Sequence, residues 1–178
     1  DPIGSRGLGD VYKRQDYLRR DAEIASTVAS QGARKAAYLV FDVETDGGAG
    51  KQLAIQLGFV VFDAHHGEIF SHEQLLRLPK GRRINWHAMK VHKITDNKLY
   101  LRGVDPAPEL QLFFDWVDRV AQSRGQIIAH NAAFDASVVT NTAEECGVQR
   151  TLDAKDCLCT MRRATLPAGL QDRRGNPK

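Results

Sequence analysis

The chain has 178 residues, 42% of them hydrophobic and 26% charged, with a formal net charge of +3. That is enough for one domain with a sizeable core, and the composition is ordinary for a soluble protein. No apolar run is long enough to span a bilayer and no signal-like leader opens the sequence, so neither a membrane partner nor a secretory route is expected, while the small positive charge permits a polyanionic partner without arguing for one.

Residues 1–15, DPIGSRGLGDVYKRQ, have no periodicity and read as a flexible arm. GLGDVYKRQ resembles a translated sequencing-adapter remnant, so this arm is treated as non-native and kept out of the fold. Between Asp16 and Ser30, Leu18, Ala22, Ala25 and Val28 recur at helical spacing, and residues 16–31 are assigned to a helix that packs on the domain away from any site. Residues 37–43 form a first strand. Residues 52–62 form a second, with Leu53, Ile55, Leu57, Phe59 and Val61 on one face. A turn at DAHHGE, punctuated by Gly67, leads to a third strand over 68–78, which completes an antiparallel meander.

A basic loop, PKGRR, precedes a short helix over 85–93 capped by Asn85. A stronger helix start follows, with Asp105 as cap, Pro106 at the first position and Glu109 in the first turn. That helix carries Leu110, Phe113, Phe114, Val117 and Val120 and stops at Gly125. QIIAH is a short buried strand, and Asn131 caps a helix ending near Gly147. Residues 151–167 read as a short strand or turn and then a helix broken at Pro167. The cysteines Cys146, Cys157 and Cys159 have no framework spacing. They fit reduced thiols in an intracellular, cytoplasmic protein better than a disulfide set or a zinc site.

Two carboxylates leave the first strand together. Residues i and i+2 of a strand share a face, so Asp42 and Glu44 point one way while Phe41 and Val43 point into packing. Two such charges about 4 Å apart repel by about 4 kcal/mol at an effective dielectric near 20. A hard divalent cation between them removes that cost. The simpler reading is that TDGG merely ends the strand. A second motif, IIAHNAAFDASVV, repeats the logic: a buried strand, a polar step, then Asp135 in the first turn of a helix, where negative charge is favoured. Strand ends beside helix starts are where ligands gather in open α/β sheets. The simpler reading here makes Asp135 a helix-dipole residue and His130 a satisfied core histidine.

FDVET, VHKIT and HNAAFD, in that order, resemble the first blocks of the DEDD 3′–5′ exonucleases, and of their DEDDh branch in particular. That family includes the epsilon subunit of bacterial DNA polymerase III, ribonuclease T and oligoribonuclease. The resemblance covers roughly residues 37–166. It implies an α/β, ribonuclease H-like mixed sheet, an antiparallel meander plus a parallel strand, flanked by helices. It also implies that Asp42, Glu44 and Asp135 are catalytic and hold two divalent cations, Mg²⁺ or Mn²⁺. Thr45, His92, His130, Asn131 and Phe134 would form the substrate side, with Phe134 also packing behind the metal ligand. Lys93 stands where the family has Gly, and His87 where some members carry a Glu that contacts the terminal nucleotide.

The family's third block, His-x4-Asp or Tyr-x3-Asp, does not occur after Asp135. Asp153 and Asp156 precede a different helix and are poor stand-ins. The exonuclease domain over 37–178 is therefore expected to lack its C-terminal part and to be crippled as it stands, because a general base contributes about 10²–10⁴-fold. The expected partner is a single-stranded DNA or RNA 3′ end, with a DNA polymerase as a second one. The main alternative is a non-catalytic adaptor derived from a nuclease domain that holds nucleic acid or a polymerase. A weaker third is action on another nucleotide ester. Lys80, Arg82 and Arg83, and Arg162, Arg163, Arg173 and Arg174, are phosphate candidates weighed against plain solvated faces. Trp86 and Trp116 are base-stacking candidates, with Trp116 read as packing.

Overall fold

The computed structural model describes residues 37–63 and 67–168. The expected arm and first helix, the turn residues 64–66 and the polar tail fall outside them. Alternating side chains explain the strands. β1 (Ala37–Thr45) buries Leu39, Phe41 and Val43, and β2 (Ala54–Asp63) buries Leu57, Phe59 and Val61. These pair antiparallel in the register Leu39↔Val61, Phe41↔Phe59 and Val43↔Leu57, so opposite positions add to one apolar face. β3 (Gly67–Leu75) continues the meander against β2. β4 (Gln126–Ala129) and β5 (Cys157–Cys159) add in parallel on the other side of β1, giving the order β3-β2-β1-β4-β5. This is the mixed sheet the motifs implied.

Two short helices follow β3, α1 (Trp86–His92) and α2 (Asp96–Arg102). The Asn85 side chain caps α1 as expected by accepting from the His87 N–H at 2.9 Å. α2 has no counterpart among the elements expected from sequence, although Thr95 marks its start by accepting from the Lys98 N–H at 3.1 Å. Both helices dock through a cluster of Ile55, Ile84, Ile94 and Leu99, with Ala88 and Met89 packed against it.

The long helix α3 (Pro106–Gln122) is capped by Asp105, which accepts from the Ala107 N–H at 3.0 Å. Its buried stripe of Leu110, Phe113, Phe114, Trp116 and Val120 covers the apolar face of the sheet. The Phe113 ring lies 5.1 Å from Phe41 and 5.5 Å from Phe59, and Trp116 stacks on Phe70 at 5.0 Å. α3 ends at Gln122, before Gly125, because Arg124 already turns left-handed at φ 58°. Gly125 serves the sheet instead, since a Cβ there would overlap the Ala37 carbonyl where β4 enters beside β1. α4 (Ala132–Glu145) follows β4. A 3-10 turn (Ala154–Asp156) precedes β5, and α5 (Thr160–Ala168) ends the described residues. α5 runs through Pro167, where a break was expected. No helix among the described residues is long and apolar enough to cross a membrane.

The exit from β1 is held by a residue that the strand-ending reading of TDGG passes over. Asp46 is fully buried. Its Oδ1 accepts from the Leu53 N–H at 3.0 Å, and its Oδ2 pairs with Arg82 Nε at 2.5 Å. Its carbonyl accepts from the Asn85 N–H at 2.7 Å, and Arg82 reaches on to the Lys51 carbonyl. The next residue, Gly47, takes φ 63°, and a Cβ on it would come within 2.5 Å of Ala88 Cβ, so α1 rests directly on this loop. Arg82→Met should strand the Asp46 charge and cost about 2–3 kcal/mol. That loss should appear as a lower urea midpoint with an unchanged slope.

Candidate active site

β1 alternation leaves Asp42 exposed and Glu44 half-buried on the face opposite Phe41 and Val43, as expected. Asp42 faces Gly58 across the β1–β2 ladder, so no β2 side chain crowds it there. On its other side β4 runs parallel, with Val40 level with Ile128. Two residues further on, the chains reach Asp42 and His130 respectively. The first turn of α4 then brings Asp135 to the same end of the sheet. Asp135 is 3% exposed, and its Oδ2 accepts from the Asn131 N–H at 3.3 Å. Burial pushes its carboxyl up from 3.8 to about 6; the charge of Asp42 pushes the same way, and backbone N–H groups and His130 oppose both. The structure thus brings Asp42 and Asp135 into electrostatic contact, with Glu44 on the same strand face. Among the described residues no three His, Cys, Asp or Glu side chains gather into a ready-made metal group.

α4 is held in place from the β1–β2 loop. Thr142 Oγ1 accepts from the Ala54 N–H at 2.9 Å and donates to the Val138 carbonyl, and Asn141 Nδ2 donates to the Gln52 carbonyl at 3.3 Å. Gln52 Oε1 in turn accepts from Thr45 Oγ1 at 3.0 Å. Thr45 therefore uses its hydroxyl to hold the loop.

Asn131 occupies the N-cap position of α4, but its side chain makes no cap hydrogen bond. The Asp135 carboxylate reaches back to the Asn131 N–H instead, reversing the expected capping. His130 is exposed, which excludes the core-histidine reading, and its Nδ1 lies 3.1 Å from Thr160 Oγ1. Its carbonyl accepts from the Met161 N–H at 3.0 Å, joining β4 to α5. Phe134, expected to pack behind Asp135, keeps 40% of its surface exposed. The buried stripe of α4 runs through Ala132, Asp135, Ala136, Val139 and Ala143, and Phe134 falls to one side of it.

His92 ends α1 with Nδ1 accepting from the Ile94 N–H at 3.0 Å. Its Nε2 is enclosed without a protein partner among the described residues. Lys93, where the family pattern has Gly, is the α1 C-cap at φ 63°, a left-handed position that Gly occupies without strain. This departure is therefore a matter of backbone conformation.

Arg82 is not a free phosphate ligand, because Asp46 holds it, and Arg83 lies 3.5 Å from Asp96. Arg162 and Arg163 stay exposed beside an open groove lined by Lys155, Asp156 and Cys157. Asp153 caps the 3-10 turn and pairs with Lys155 Nζ at 2.8 Å. Trp116 is core, as expected, at 4% exposure. Asp46 and Arg82 are what sequence reasoning missed. The only local signal was an Asp-Gly-Gly step after a strand, and its partner lies 36 residues away.

A mixed sheet with acidic side chains gathered where β1 and β4 end, beside the start of a helix, is the architecture of ribonuclease H-like nucleases. Residues 39–172 match the exonuclease family RNase_T, and the chain belongs to that family, in keeping with the DEDD exonuclease motifs it carries. Among solved structures it is similar to product-bound exonuclease I, with 16% identity and a TM-score of 0.57, over 81% of this chain and 36% of that one. It is also similar to E. coli exonuclease I in complex with a dA16 oligonucleotide, with 17% identity and a TM-score of 0.55, over 81% of this chain and 34% of that one. Cell-death related nuclease 4 is similar at 10% identity and a TM-score of 0.55, over 78% of this chain and 51% of that one. The chain thus spans about a third of the exonuclease I chains it matches. No curated protein sequence matches it.

The raised carboxyl of Asp135 has a stability consequence. A folded-state value above the unfolded one favours the protonated form, so its contribution is intact below the ordinary 3.8 and is lost as pH rises through about 6. In metal-free protein, Asp135→Asn should therefore stabilise the fold, by about 3 kcal/mol at pH 8 and roughly half that at pH 5. Urea unfolding of both proteins in EDTA at the two pH values measures this.

Proposed function

We propose that the chain carries the Asp42, Glu44 and Asp135 part of a metal-dependent 3′–5′ exonuclease site, of the kind that hydrolyses phosphodiester bonds at single-stranded DNA or RNA 3′ ends, crippled here without the family's His or Tyr block. The observation that carries the reading is that Asp42 and Asp135, from two separate elements, reach the same end of the sheet, where burial first and then the Asp42 charge push the Asp135 carboxyl up. Such a pair at the solvent-facing end of a sheet suits a hard cation with oxygen ligands, Mg²⁺ or Mn²⁺. Asp42 and Asp135 would hold it, with Glu44 on the same strand face as the third ligand. Two such ions, when bound, supply an activated water and stabilise the leaving 3′ oxygen. The chain's own contribution is placement: β1 and α4 set the carboxylates, and the Thr45–Gln52–Asn141 links hold those elements in register. Support for a single-stranded substrate comes from exonuclease I, whose structure is in complex with a dA16 oligonucleotide.

Titration calorimetry of Mn²⁺ into the metal-free chain tests the reading. We expect binding that Asp42→Ala weakens by more than about 100-fold, since even outer partners of metal ligands cost 10–100-fold. Equal Mn²⁺ heats from wild type and Asp42→Ala would sink it. Binding of single strands without any cation binding would favour the non-catalytic adaptor.

A further inference from the structure

The largest exposed apolar side chains among the described residues are Trp86, Val91, Tyr100, Leu101 and Phe134. Four of these lie on α1 and α2, the pair seated on the loop that leaves β1. Trp86 is 53% exposed, and Lys90 Nζ lies 3.6 Å from the centre of its ring. The ammonium covers one face of the indole and helps hold the side chain in place. The charge around it is one-sided. Residues 74–95 contain six Lys or Arg and no Asp or Glu. Of these, Arg82 is committed to Asp46, Arg83 neighbours Asp96 and Arg77 donates to the Gly103 carbonyl, which leaves Lys80, Lys90 and Lys93 exposed, the last two on α1 and its C-cap.

Position connects this patch to the carboxylates. Asn85 donates to the Asp46 carbonyl at 2.7 Å. Trp86 is the next residue on one side of that bond, and Glu44 is two residues away on the other. Chain geometry then limits the separation of the two Cα atoms to roughly 17 Å, a span of only a few nucleotides. A strand whose end lies at Asp42 and Asp135 has to extend some way across the protein, and this is a nearby surface that offers it both a half-exposed indole and positive charge.

We propose that Trp86, braced by Lys90, is a stacking platform for a nucleobase of the single-stranded substrate, a few nucleotides upstream of the end that meets the carboxylates. The proposal rests on the exonuclease reading. Stacking on an aromatic side chain is tolerant of sequence, because every base has a π-face, while the neighbouring ammonium meets the phosphate. An acidic protein segment is the competing occupant.

The test uses the full chain in EDTA with a labelled dA oligonucleotide and an abasic strand of equal length and charge. The protein has two tryptophans, Trp86 and the buried Trp116, so emission quenched by the oligonucleotide and lost in Trp86→Phe belongs to Trp86. We expect dA, and not the abasic strand, to quench it. Trp86→Ala should weaken dA binding about tenfold and leave abasic binding nearly unchanged, and Trp86→Phe should restore most of the loss. Wild-type dA affinity in Trp86→Ala would overturn the proposal while leaving the exonuclease reading intact. No binding of either strand would remove the exonuclease reading and the platform with it.

Discussion

The buried pair of Asp46 and Arg82 is the constraint on which the site depends. A carboxylate with no exposure is tolerable only if every lone pair facing the protein has a donor. Asp46 meets that demand with the Leu53 N–H, the Arg82 guanidinium and a longer contact from the Gly48 N–H. Its own backbone reaches across to Leu53 and Asn85. One residue thereby sets where β1 stops, how the β1–β2 loop folds and where α1 begins. From that loop the links run on to α4 through Gln52, Ala54, Asn141 and Thr142. The two elements that supply the carboxylates are thus braced against each other through the same loop that carries α1 and its exposed tryptophan.

The electrostatics of the site run against the stability of the metal-free fold. Asp135 is buried beside another carboxylate, and burial first and then the Asp42 charge push its carboxyl up, so that holding the charge there costs free energy. Elsewhere the described residues pair their buried charges, as Asp46 does, or leave them in water, as in the exposed Lys51–Glu144 contact. A carboxylate on β1 facing another in the first turn of α4 is the kind of local conflict that marks a functional site. A similar contrast holds on the surface. Large apolar side chains are buried along β1, β2 and α3 but exposed on α1, α2 and the first turn of α4.

Much of this is legible along the chain. Period-two alternation locates β1 and β2 and assigns the correct faces, so spacing alone sets Asp42 and Glu44 opposite Phe41 and Val43. The Asp105–Pro106 start of α3 and the Asn85 cap of α1 are likewise visible, because capping is decided by atoms two or three residues apart. α2 escapes notice even though Thr95 and Asp96 carry its start signal. Seven residues give too little periodicity to stand out, and its single buried residue, Leu99, is recognisable only from the cluster it joins. Asn131 misleads for a related reason: its residue type suggests a side-chain cap, and the carboxylate of Asp135 supplies the bond from the other direction.

Local spacing therefore suffices for the strands, the caps, the identity of the acidic residues and the family they resemble, since alternation and capping act over distances the linear chain makes explicit. Long-range contacts decide the rest. Asp46 becomes a buried anchor because Arg82 folds onto it from 36 residues away. Asp42 and Asp135 become a pair because β4 enters beside β1 where Gly125 leaves room at Ala37. Arg82 loses its availability to phosphate through the same docking of distant segments. Burial and the charges nearby set the energy of an ionised group, and both are properties of the packed neighbourhood that no stretch of sequence contains.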